Sequence, residues 1–298
     1  MSRRERIHVA LAVAGLFALH LLLTSGPAWA KIYADEAGYI ANARYLTGGP
    51  AVNMDGANLY NPGFSILVAP LVRLLDGSPV GAYRAIVVLN GLIGSLTFAP
   101  FYLLGRRLVG LEHIRALLAA GAAALYPSMV VNASFATPEL LFTFVFALTC
   151  VLAGRALDRG GTGRAVLFAF LASFLYVVHP KGLALLPVAV LFLAGLWRAR
   201  VLAARPFAIA TVALAAVHVA GRALALVLRD ALYFGTFERI TTEGVALSRL
   251  ATPAAWRSAV LQAVGQSWYL LVTSLGLVGV GAWFALGRAR GASAPSRL

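Results

Sequence analysis

The sequence predicts an all-α integral membrane protein: a polytopic helical bundle of about eight spans with juxtamembrane helices in its first outer loop. Three observations carry that prediction. The composition is strongly apolar, runs of spanning length recur from end to end, and arginines gather in the short connections between the runs. The 298 residues are 60% hydrophobic and 12% charged, with mean hydropathy +0.83. A soluble domain is about half apolar and about a quarter charged. No soluble block interrupts the apolar runs, so residues 1–298 read as one membrane domain.

A helix needs about 20 apolar residues to cross a bilayer, with a range of about 17–25. Runs near that length occur at 8–24, 85–104, 116–132, 138–154, 165–180, 182–197, 206–226 and 267–287, and those at 116–132, 165–180 and 182–197 are short. With the N-terminus inside, the tight loops carrying Arg106, Arg107, Arg155, Arg159 and Arg164 become cytoplasmic. Most of the 11 acids, among them Asp35, Glu36, Asp55, Asp76, Glu139 and Glu238, then fall outside. Both termini are cytoplasmic in this arrangement, as the positive-inside rule requires.

The net charge of +14 has the size of a nucleic-acid signature but not its distribution. Basic residues sit in topology-setting loops rather than on an aromatic-studded surface, so nucleic acid is not an expected partner. The single Cys150 lies inside an apolar run and can form no intrachain disulfide. Arginine heavily outnumbers lysine in an Ala- and Gly-rich chain, which suggests a GC-rich bacterial genome; the expected location is the bacterial plasma (inner) membrane.

The first run has a rival reading. A basic start, an apolar core and Ala28-Trp29-Ala30 resemble a cleavable signal peptide. The core, about 16 residues long, is at the long end for a signal. Retention as a first span is the expectation.

The first outer loop, 26–84, contains Asp35-Glu36 opening a helical pattern, Gly- and Asn-rich turns, and Tyr60-Asn-Pro-Gly-Phe64. The apolar run 64–75 is too short to span and reads as an interfacial or re-entrant helix. A second long outer loop, 229–262, is amphipathic, and 289–298 reads as a solvated tail. No fixed-period repeat appears.

The candidate site residues lie at outer span ends. In a helix beginning near Asp35, Tyr39 and Asn42 share its face, while Glu36 falls on the adjacent face, toward lipid or protein. Carboxylates near lipid are costly and are usually kept for a task. Asp35 is equally a good helix N-cap, which explains one acid but not two. Glu139 follows Pro138 and suits the first turn of a helix electrostatically; alternatively it points into a cavity shared with Asp35. Lys181, in His179-Pro-Lys181-Gly, shares the chain's lysine content with Lys31. It either snorkels to lipid phosphates or holds the phosphate of a bound lipid. Arg84 and Arg222 carry the same ambiguity, and His20 and His218 read as packed polar residues within spans.

No P-loop, His-Glu-x-x-His, paired Cys/His or Gly-x-Ser-x-Gly motif occurs. No cofactor is evident, and a divalent metal requirement stays open.

Several motifs, in order, resemble those of the GT-C superfamily of polytopic glycosyltransferases, which includes the protein O-mannosyltransferases and aminoarabinose transferases. They are one span followed by Asp35-Glu36 and Tyr39, then Tyr60-Asn-Pro-Gly-Phe-Ser-Ile-Leu, similar to the family's Tyr-Pro-Pro-Gly-Tyr stretch. Arg84-Ala-Ile-Val-Val-Leu-Asn, Tyr126-Pro127 with Pro138-Glu139-Leu-Leu-Phe, His179-Pro-Lys181 and Gly265-Gln-Ser-Trp-Tyr follow. The resemblance implies a polyprenyl-phosphate sugar donor, transfer on the outer membrane face, and a glycan, lipid or protein acceptor. Asp35 would be the general base, with Glu36 supporting it, and Lys181 with His179 would steady the lipid phosphate. Tyr39, Tyr60, Arg84 and Glu139 would line the substrate site. Relatives usually carry further spans, so the chain reads as short at its C-terminus. A non-catalytic protein binding a lipid-linked sugar is therefore the alternative. A transporter or flippase would place charge near the bilayer midplane, which this pattern does not.

Overall fold

A computed structural model describes residues 1–24, 34–52, 61–159, 161–232 and 257. Every element among them is helical. The chain divides into two compact units, Met1–Gly235 and Thr236–Leu298, and the helices described below lie in the first. The expected span at 267–287 and the tail at 289–298 lie outside the described residues, as does all of the second outer loop except its first four residues and Arg257.

The helices are α1 (Arg3–Thr24), α2 (Ala34–Leu46), α3 (Gly63–Leu74), α4 (Pro79–Leu96), α5 (Phe98–Arg107), α6 (His113–Ala124), α7 (Pro127–Asn132), α8 (Glu139–Arg159), α9 (Thr162–Val178), α10 (Leu185–Arg198) and α11 (Ala204–Leu232). A 3-10 turn, Pro180–Ala184, joins α9 to α10. Among the described residues, five segments are long and apolar enough to cross a membrane: Arg3–Thr24, Pro79–Arg107, Glu139–Asp158, Pro180–Arg198 and Ala204–Arg229. Gly63–Leu74, His113–Ala124 and Thr162–Val178 are apolar but shorter.

The expected span at 116–132 is broken in two. Pro127 lacks an N–H and disfavours helical geometry in the residue before it. Tyr126 accordingly takes φ −55°, ψ 135°, and Pro127 begins the short α7. At 12 residues α6 rises only about 18 Å, less than a bilayer's apolar thickness.

The run after Asn61-Pro62-Gly63 is the expected short helix, α3. One side of it, Phe64, Val68 and Val72, is buried against the bundle, while Ile66, Leu67 and Leu74 are exposed. An apolar face left outward suits lipid better than water.

The three larger apolar cores among the described residues join these helices. One joins α2, α3, α4, α7, α8 and α9 through Tyr39, Phe64, Ile86, Met129, Leu140 and Leu175. A second joins α8, α9, α10 and α11 through Leu152, Phe168, Leu193 and Leu214. The third seats α1 on α5 and α6 through Val9, Leu16, Tyr102 and Ala116. Higher along α1, His20 packs where α4 presents Gly91 and Gly94. The first helix is thus built into the bundle.

Candidate functional site

Four of the singled-out side chains come together where α2 and α8 begin and α9 ends. The end of α9 is set by sequence: Pro180 drives His179 into extended geometry, φ −152°, ψ 140°, which stops the helix. The chain then turns so tightly that a Cβ on Gly182 would stand 2.3 Å from both Leu175 C and Tyr176 N. On another side, a Cβ on Gly63 would meet the Val177 carbonyl oxygen at 2.7 Å. The Asn61 amide donates to the Tyr176 carbonyl. Bare glycine backbone and one amide therefore grip the last turn of α9, and His179 projects from a fixed support.

His179 Nδ1 accepts the backbone N–H of Lys181 at 3.1 Å. With Nδ1 an acceptor, the neutral ring carries its proton on Nε2. That nitrogen faces Glu139 Oε1 at 3.9 Å. Phe142, one turn further along α8, meets the ring edge-on at 5.8 Å between centroids. Burial holds the His179 imidazole below its ordinary range, and the Lys181 ammonium pushes the same way. The carboxylates of Glu139 and Asp35 oppose that shift, so both lie within electrostatic reach of the ring. Asp35 and Lys181 are exposed, and Glu139 is partly so. One Glu139 oxygen, Oε2, is buried and has no hydrogen-bond partner among the described residues.

Glu36 turns the other way. It is 0% exposed, and its Oε1 accepts the Tyr83 hydroxyl at 2.9 Å and the Ala136 N–H at 2.6 Å. Of the two directions that helical arithmetic left open, the structure selects protein. Tyr39 is also buried, edge-on to Phe64 with centroids 5.5 Å apart. It packs the core that carries the site. Arg84 is exposed on α4, about 100° around the helix from Tyr83. Tyr60 lies outside the described residues.

Two participants escaped the sequence reading. Tyr83 adjoins Arg84 without having drawn attention, and Asn90 sits within a span. Asn90 Nδ2 donates to the Phe135 carbonyl at 2.5 Å and the Thr137 carbonyl at 3.0 Å. A buried amide in an apolar run was the available signal.

A separate polar cluster lies where α1 begins and α5 ends. His8 Nδ1 and His113 Nε2 are 2.8 Å apart, and His113 Nδ1 is 2.9 Å from the Tyr102 hydroxyl. Arg106 donates to Glu5 at 3.0 Å and to the Leu111 carbonyl at 2.8 Å. Among the described residues no group of three His, Cys, Asp or Glu side chains is arranged to hold a metal ion.

No protein-family model matches the chain, and no curated protein matches it.

Proposed function

We propose that the chain is a membrane glycosyltransferase, moving a sugar from a polyprenyl-phosphate carrier to a cell-envelope acceptor on the outer face of the bacterial inner membrane. The observation that supports this is the meeting of Asp35, Glu139, His179 and Lys181 at one end of an apolar helical bundle. An eight-span arrangement with both termini inside, in which α6 and α7 cross together as one broken span, would turn that end outward.

Each side chain then has a task. Asp35, exposed at the start of α2, takes the proton of the acceptor hydroxyl as its oxygen attacks the anomeric carbon. The bond from that carbon to the phosphate oxygen breaks, and the electron pair leaves with the phosphate. Lys181 offsets the charge that gathers there, and a group acting only as charge develops contributes to the rate. His179, neutral and bearing its proton on Nε2, is an uncharged donor beside Glu139. Glu139, whose side chain is partly exposed beside His179, is an acceptor suited to a sugar hydroxyl.

A second reading has one observation in its favour. Glu36 is sealed inside the bundle, which leaves Asp35 as the exposed acid of the pair. A non-catalytic protein that holds a lipid-linked sugar would need no more than that. Membranes expressing the chain, supplied with labelled polyprenyl-phosphate sugars, separate the two readings. Transfer that falls about 10²–10⁴-fold in Asp35→Asn, at unchanged expression, supports the enzyme. Binding of donor without transfer from any of them supports the second reading.

A further inference from the structure

The segment between α7 and α8 is held in an unusual way. Its backbone groups at three successive residues are each bonded by a buried side chain from another helix. The Ala136 N–H donates to Glu36 of α2 at 2.6 Å. The carbonyls on either side, of Phe135 and Thr137, both accept from the Asn90 amide of α4. Glu36 and Asn90 are each 0% exposed. Tyr83, two turns before Asn90 on α4, donates to the same Glu36 oxygen. A carboxylate withdrawn from solvent is costly and is usually retained for what it holds in place. Here it holds a loop. Two residues after Thr137, across Pro138, stands Glu139.

We propose that Glu36 and Asn90 are positioning residues, clamping the 135–137 backbone from opposite sides and thereby fixing Glu139 against His179. The chemical complement supports this. An acceptor is presented to the one N–H and two donors to the two carbonyls. His179 is fixed independently by the turn at Gly182, so the separation of the pair depends on both supports. The value of this clamp to a lipid-phosphate transferase rests on the reading above. The clamp itself does not, and its test keeps the two apart.

The test is the titration of His179 in the full chain, by NMR of isotopically labelled histidine, with the resonance assigned through His179→Gln. The charged groups reaching His179 are Glu139, Asp35 and Lys181. Glu139→Gln removes an anion that raises the midpoint, so the midpoint falls. Asn90→Ala changes no charge and can act on His179 only through position. It is expected to lower the midpoint in the same sense, and to add nothing when combined with Glu139→Gln. Tyr83→Phe, which deletes one hydroxyl and serves if Asn90→Ala does not fold, is expected to give a smaller fall. A midpoint that stays or rises in the neutral variants overturns the proposal, as does one that ignores Glu139→Gln. Wild-type chain that transfers no sugar would sink the transferase reading and leave this result standing.

Discussion

His179 Nε2 stands 3.9 Å from Glu139 Oε1 although one residue caps α9, the other begins α8, and the two lie forty positions apart. The contact joins the end of α9 to the start of α8, and it is longer than a direct hydrogen bond. Such a pair is held apart by its supports rather than drawn together by its charges. A hydroxyl or water entering between them would meet a donor on one side and an acceptor on the other.

The protonation of His179 should be visible in stability. In the folded chain burial holds its affinity for protons below that of the unfolded chain, whose ordinary value is 6.5. The unfolded state therefore binds more protons as the pH falls below that value, and stability drops. Above it, His179 is neutral in both states and its contribution is flat. Thermal unfolding followed from about pH 8 down to about pH 5 should show a decline that is shallower in His179→Gln. Equal slopes in the two proteins would mean that other groups dominate the acid limb.

Glycine substitutions should separate packing from propensity. Gly182→Ala places a methyl 2.3 Å from backbone atoms of α9, which cannot move aside as a flexible side chain could. Overpacking of this kind costs about 1–3 kcal/mol or more. Gly195, inside α10, has nothing within 4 Å of the added carbon. There the helix preference for Ala over Gly should stabilise by roughly 0.5–1 kcal/mol. Melting temperatures of the two variants should therefore move in opposite directions, and a stable Gly182→Ala would contradict the tight turn.

Much of this was legible in advance, and the remainder has a common cause. Apolar runs marked helices because a bilayer requires about 20 such residues regardless of tertiary context. Asp35, Glu139, His179 and Lys181 could be singled out because each sits at the end of an apolar run. Tyr83 could not, since its partner Glu36 lies 47 residues away; Asn90 stands out as an amide in an apolar run, but nothing local names its partners at Phe135 and Thr137, 45 and 47 residues away. Two of the three partners of Asn90 and Glu36 in the loop are carbonyls and one is an N–H, so no residue type records them. The break at Tyr126-Pro127 was written in the sequence, because Pro127 restricts the residue before it. Reading 116–132 as one span gave its apolar content more weight than its proline.

The His8–His113 contact should behave as a single unit. At 2.8 Å one ring nitrogen must donate and the other accept, so the pair requires complementary tautomers. Tyr102, hydrogen-bonded to the far side of His113, helps to set which. Replacing either histidine by Ala removes the same bond. The double variant should therefore fall short of additivity by about 0.5–1.5 kcal/mol in unfolding free energy. Additive effects would show that the two rings are not energetically coupled.

Lys181 offers the most direct probe of the lipid phosphate. It is exposed beside His179, and its backbone, not its ammonium, makes the bond that orients the ring. Lys181→Ala should thus leave His179 in place while removing a cation from the proposed donor site. If the ammonium only anchors the bound donor, KM for the polyprenyl-phosphate sugar rises and kcat holds. If it offsets charge on the departing phosphate, kcat falls as well, by about 10²–10³-fold for one such group. Lys181→Arg keeps the charge and should recover most of the loss in either case. Kinetics indifferent to both substitutions would assign Lys181 to the lipid headgroups, where a long cationic side chain at a membrane boundary also rests comfortably.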